Sequence, residues 1–337
     1  MSTVAPRTAL LGALAVALLG GCAGAQVGPT VPVAGPAHAP ATSSAPVGEL
    51  LGLRSPVSAM LVDPGTGTLA VAAGEPDRLL LLDTGDLRAP PREVALPGPA
   101  ADLALAAPGG PLLVSVPEPG ALLRVGLPGA SVHSADVAGQ VRSAAVVNGR
   151  TVVALGDRVA VLGAGSGVVD TVRGFADAAR LVPVGDSVAV LDRAQTSLTL
   201  VDPAAADAGA ALRAGSGATN AVGDRFGRVL VLDTRGGELL VFSGDPLILR
   251  QRYPVAGAPF GLAYDRRRDL AWVTLTARNE VVGFDVAGGE PVERYRFLTV
   301  GQPDSVAVDP RSGNVVVGSS SGDGVQLIKP ESVVVTQ

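Results

Sequence analysis

The sequence predicts an all-β fold assembled from seven copies of one unit, and three observations carry that expectation. The stretch GQPDSVAVDPRSGNVVV from Gly301 recurs as GAPFGLAYDRRRDLAWV from Gly257, with Gly257, Pro259, Leu262, Asp265 and Val273 standing 44 residues ahead of Gly301, Pro303, Val306, Asp309 and Val317. Further copies start at Ser55, Gly98, Gly139, Gly174 and Gly215, so the seven starts are spaced 35 to 44 residues apart. Each copy is dense in short alternating runs of Val and Leu, the period of a half-buried strand, and helix signals are nearly absent. A unit of about 40 residues with four short strands has the size of one blade in a ring of radially packed sheets. The expected architecture is a seven-bladed β-propeller of four-stranded antiparallel blades over residues 48–337, preceded by an export signal (1–21) and a tether (22–47).

The signal opens with one basic residue, Arg7, followed by an apolar run from Ala9 to Leu19. At 11 residues that run is shorter than the ~20 a membrane-spanning helix needs. Leu19, Gly20, Gly21 and Cys22 resemble the lipobox of bacterial lipoproteins. The resemblance implies a diacylglyceryl group on the Cys22 thiol and cleavage that makes Cys22 the new N-terminus. Cys22 is the only cysteine, so no disulfide can form within the chain. Two acyl chains, at ~0.8 kcal/mol per buried methylene, would hold the protein on the outer face of the cytoplasmic membrane, with membrane lipid as its first partner. From Ala23 to Val47 the chain is rich in Ala, Pro, Gly and Ser and lacks Asp, Glu, Lys and Arg. It reads as a disordered tether reaching about 30 to 70 Å.

Within the units, the turn chemistry agrees with the strand pattern. Asp309 caps a turn, Pro310 fixes φ at its first corner, and Gly313 takes the left-handed position before the next strand. The last unit predicts strands over Ser305–Asp309, Asn314–Gly318, Gly324–Ile328 and Ser332–Thr336. GELLGL at Gly48–Leu53 stands in the same outer-strand position ahead of the Ser55 copy, which favours a ring closed by a strand from each end. PAAADAGAALRAG at Pro203–Gly215 is the best helical stretch and reads as a loop or one helical turn.

The motifs VAVDPRSGNVVV, LAYDRRRDLAWVT and MLVDPGTGTLAV are similar to those of bacterial YVTN and NHL-like seven-bladed propellers, over residues 48–337. That resemblance implies a fold. Members of these groups include extracellular binding proteins, scaffolds, lactonases and metal-dependent hydrolases, so it leaves activity open.

Charge and composition exclude other classes. With 26 Lys plus Arg against 31 Asp plus Glu the chain has no basic surplus for nucleic acid. Its two histidines, His38 in the tether and His133 in SVHSAD, and its single cysteine cannot assemble a usual zinc site. His133 falls on an expected outer strand, away from the axis. LGAGSGVVD at Leu162–Asp170 lacks G-x-G-x-x-G spacing and a following helix, and reads as a hairpin turn. Asp83, Asp192 and Asp233 read as turn caps, and Trp272 as core. No cofactor is expected; calcium held by oxygen ligands is the one the composition leaves open, although DPRSGN and DPGTGT fail EF-hand spacing.

Loops that a propeller gathers on one face supply the binding candidates: Glu75, Asp77 and Arg78 in AGEPDR, Phe260 and Asp304 beside unit starts, Arg278, Asn279 and Glu280 in TARNE, and Asp323 in SSSGDG. The functional expectation is a binding or scaffolding module for an envelope protein or small extracellular ligand. The competing expectation is a lactonase-like or metal-dependent hydrolase working in the central channel.

Overall fold

The computed structural model describes residues 27–163 and 166–332. Among these, regular structure is all strand apart from two short 3-10 turns, Thr276–Arg278 and Pro330–Ser332. The strands are β1 (Glu49–Leu51), β2 (Val57–Asp63), β3 (Thr68–Ala73), β4 (Arg78–Asp83) and β5 (Arg92–Ala95), then β6 (Asp102–Leu105), β7 (Leu112–Val116), β8 (Ala121–Val125) and β9 (Val132–Asp136). There follow β10 (Ser143–Val147), β11 (Arg150–Ala154), β12 (Gly156–Leu162), β13 (Val168–Val184), β14 (Ser187–Asp192), β15 (Ser197–Asp202) and β16 (Asp207–Arg213). The chain ends with β17 (Ala218–Gly223), β18 (Arg228–Asp233), β19 (Glu238–Ser243), β20 (Ile248–Pro254), β21 (Pro259–Asp265), β22 (Leu270–Leu275), β23 (Glu280–Asp285), β24 (Val292–Leu298), β25 (Pro303–Val308), β26 (Val315–Ser319) and β27 (Val325–Ile328).

These strands form an all-β propeller, but the expectation of seven separate four-stranded blades is corrected. Five sheets are discrete four-stranded blades: β2–β5, β6–β9, β17–β20, β21–β24 and the sheet β1-β27-β26-β25. The units expected to start at Gly139 and Gly174 run together into one seven-stranded sheet, β10 to β16 in order. Their junction is the 17-residue β13, whose first part pairs with β12 and whose second part pairs with β14. The spacing of those two starts is the shortest in the chain, and VRGFADAARL contains no Pro or Asp-Gly pair to break the strand. Gly174, at φ 106°, bends it instead. The innermost strands β2, β6, β10, β13, β17, β21 and β25 contact one another in cyclic order, and β25 contacts β2 to close the ring.

Closure uses both ends of the chain. β1 lies antiparallel to β27, with Glu49 opposite Leu327 and Leu51 opposite Val325, so the outer strand of the last sheet comes from the N-terminal side. This agrees with the reading of GELLGL; the expected strand Ser332–Thr336 lies outside the described residues beyond Ser332. The stretch Pro203–Gly215, expected as a loop or helical turn, instead contains β16, because the open edge of β15 offers it a ladder that outweighs the helix preference of its alanines.

Facing sheets bury alternating Val, Leu and Ala, as where Ala70, Leu79 and Leu81 meet Leu103, Leu112, Val114 and Leu123. The most demanding packing is at Trp272, fully buried in β22 with ring centroids 5.6 Å from Tyr295 and 6.0 Å from Phe297. Gly283 stands opposite it in the ladder, and a Cβ there would lie 3.1 Å from the indole. Buried aspartates do more than cap turns. Asp233 accepts from Gly236 N within its hairpin and from Ser216 N and Gly217 N at the start of the inner strand.

Candidate functional site

Five inner strands carry a register shift at the same place, near their starts: Val57/Ala59, Ala178/Arg180, Ala218/Asn220, Pro259/Leu262 and Pro303/Ser305. A bulge re-aims the residues around it, and here it brings them to the mouth of a central cavity of about 370 Å³. On one side a polar chain links five inner strands. Arg180 on β13 pairs with Asp102 on β6 and donates to Asn220 Oδ1 at 2.8 Å. Asn220 Nδ2 in turn donates to the Phe260 carbonyl at 3.1 Å, while Ser143 Oγ donates to Asp102 Oδ2 at 2.6 Å. Burial pushes the Asp102 carboxyl up, and Arg180 and Ser143 offset only part of that.

Asp304 stands apart from this chain. Its carboxylate accepts from Ser320 Oγ, from Gln302 Nε2 (3.1 and 3.2 Å to its two oxygens) and from Thr276 Oγ1 at 3.1 Å. Burial pushes this carboxyl up too, and the three neutral donors pull it back only in part.

The segment expected to be a disordered tether is corrected where it is described, at 27–47. It has no regular secondary structure, yet it lies on the ring like a strap. Val31 N donates to Ala194 O at 2.8 Å, Arg235 donates to Pro32 O, and Asn279 Nδ2 donates to Pro40 O at 2.8 Å. Gln302 holds its middle with both ends of one amide: Nε2 donates to Ala37 O at 2.7 Å and Oε1 accepts from Ala39 N at 2.9 Å. Val31, Ala34 and Ala37 are half-buried while Pro32, Val33, Gly35 and Pro36 are exposed, the three-residue period of a polyproline II helix. A Cβ at Gly217 would lie 2.6 Å from Arg235 Cβ and 3.1 Å from Ala34 Cβ, so both the ring and the strap crowd this position. A backbone without regular partners is thus satisfied by side chains of the ring.

Of the residues singled out from sequence, the structure brings Asn279 and Asp304 together around Gln302, whose N–H donates to Asn279 Oδ1 at 3.1 Å. Phe260 lines the same cavity as Asp304. Arg278 is exposed beside Asn279, Glu280 is paired with Arg296, and Asp323 accepts from Gly301 N at 3.1 Å. Glu75, Asp77 and Arg78 sit at the β3–β4 loop and do not join the cluster; Arg78 donates to Ser55 Oγ at 3.1 Å. Cys22 lies outside the described residues. Sequence reading missed Asp102, Arg180, Asn220 and Gln302. Their offsets from the unit starts at Gly98, Gly174, Gly215 and Gly301 all differ, so no fixed spacing exposes them.

No family model matches the chain, and no curated protein matches it. Solved structures do. A hydrazine synthase structure from Kuenenia stuttgartiensis superposes with a TM-score of 0.69 at 14% identity, covering 83% of this chain and 97% of that one. A streptogramin B lyase gives 0.69 at 10% identity, covering 82% and 95%, and virginiamycin B lyase from Staphylococcus aureus gives 0.68 at 10% identity, covering 83% and 98%. At these identities the likeness defines the chain as a β-propeller and carries no activity across.

Proposed function

We propose that this chain is a lipid-anchored, extracytoplasmic binding module, tied to the outer face of the cytoplasmic membrane through Cys22 and taking up an envelope protein or small ligand at its strap face and central cavity. The observation that carries the reading is the docked strap. Gly28 lies only six positions after Cys22, and at ~3.5 Å per residue that stretch can span at most about 20 Å. A lipid on Cys22 would therefore hold that face close to the bilayer rather than let the ring swing on a long tether. At the cavity mouth Asp102 is engaged by Arg180 and Ser143 and Arg180 by Asn220, which leaves Asp304 as the carboxylate in that lining with only neutral donors among the described residues, a group suited to holding a ligand.

The test is membrane partition of the full chain. Cys22→Ala should move the protein from the membrane fraction to the extracytoplasmic soluble fraction with an unchanged melting curve. Retention of Cys22→Ala in the membrane fraction would overturn the anchor.

A further inference from the structure

The polar chain occupies only one side of the cavity mouth. Across the axis, Ala59, Gly261 and Ser305 stand at the corresponding starts of β2, β21 and β25, with side chains too short to fill the space. Phe260 and Asp304 flank them. The titratable groups lining the cavity are Asp102, Arg180, Tyr264 and Asp304. Asp102 and Arg180 neutralise each other, and the Tyr264 hydroxyl donates to Asp269 at 2.8 Å. Asp304 is bonded only by neutral donors among the described residues, Ser320, Gln302 and Thr276. The cavity lining is thus left with one carboxylate that has no cationic partner among the described residues, Asp304, and with Phe260 as its aromatic residue apart from the engaged Tyr264. Its volume of about 370 Å³ lies at the small end of ligand sites.

We propose that this cavity binds a small organic cation, an ammonium or guanidinium group held by the Asp304 carboxylate with its alkyl portion against Phe260, Gly261 and Ala59. A half-buried carboxylate supplies a charge-assisted bond that hydroxyl and amide donors do not replace, and the face of Phe260 adds attraction for the same charge. The small residues across from Arg180 leave the alkyl portion its space, while Arg180 keeps a second cation from the Asp102 side. This inference deepens the binding-module reading and rests on it, yet it stands or falls by a different readout.

The experiment is titration calorimetry of the full chain, solubilised from membranes in detergent, with n-butylammonium and agmatine as free cations and a capped Gly-Lys-Gly peptide as a side-chain cation. Saturable binding weakened by salt is expected, with n-butanol inert at the same concentrations. The tighter of the free and peptide cations assigns the source of the natural ligand. Asp304→Asn should weaken binding at least tenfold and Phe260→Leu severalfold, whereas Glu75→Gln, on a separate loop, should leave it unchanged. Should Asp304→Asn fail to fold, Phe260→Leu and the butanol comparison on the unaltered protein still decide. Equal binding of butanol, wild-type affinity in Asp304→Asn, or binding of calcium ion alone would overturn the proposal. Loss of cation binding with membrane partition intact sinks this inference only, and a failed anchor leaves the titration untouched.

Discussion

Replacing Gln326 by Leu tests how the two ends of the chain are joined. Gln326 is 1% exposed, sits on β27 opposite Leu50 of β1, and spends its whole amide on backbone groups. Its Oε1 accepts from Val300 N at 3.0 Å, and its Nε2 donates to Val47 O at 2.6 Å and Leu298 O at 3.0 Å. Leucine fills the volume and removes all three bonds. Leu298 O keeps Val47 N at 3.3 Å, but the buried Val300 N–H is orphaned and Val47 O loses its donor. An orphaned buried group costs about 1–3 kcal/mol and a half-buried one less, so the variant should lose about 2–4 kcal/mol. For a domain of this size that is a fall in melting temperature of roughly 3–7 °C. Thermal unfolding followed by far-UV circular dichroism reads it directly, with exposed Gln140→Leu as the comparison that should stay within ~0.5 kcal/mol. A Gln326→Leu protein that melts with the wild type would show that this amide does not fasten the N-terminal strand to the ring.

Two further outcomes follow from polar side chains elsewhere in the ring. Burial raises the Asp63 carboxyl, but bonds from Gly109 N, Gly65 N, Thr66 N and Thr66 Oγ1 outweigh it and hold the group below its usual range, so its contribution to stability is complete above about pH 4 and is lost as pH falls through the lowered folded value. Asp63→Asn should therefore lower stability at neutral pH and flatten the acid limb of a denaturation profile; an acid limb as steep as the wild type's would remove Asp63 as its source. Gln302→Asn keeps a residue that tolerates the observed φ of 49° but shortens the amide that clamps Ala37 and Ala39. Proteolysis within 33–40 should speed up about tenfold, corresponding to ~1.4 kcal/mol of local opening, while the ring melts unchanged; equal cleavage rates would mean that this clamp contributes nothing.

The fold was legible because its information is local and repeated: alternating Val and Leu, Asp-Pro turns, and a near-constant spacing of unit starts. What could not be read was where one unit stops. The absence of a turn in VRGFADAARL lets β13 run through an expected boundary, and five discrete blades result instead of seven. The strap was hidden for a different reason. Its Ala/Pro composition is that of a free linker, and the order comes from Gln302, Asn279 and Arg235, which lie more than 190 residues away in sequence. The cavity was half legible. Phe260 and Asp304 were visible beside unit starts, but Arg180 and Asp102 meet across 78 residues of sequence, with a bulge at Arg180 re-aiming it.

Cross-linking in intact cells is the measurement that tests the binding-module account most directly. The native protein and its Cys22→Ala form are treated alike, purified, and their conjugates identified by mass spectrometry. The account predicts a defined conjugate enriched with the anchored form, with cross-linked positions on the strap face around Asn279 and Asp323. Identical conjugates from both forms, or conjugates confined to the outer strands around His133, would contradict it.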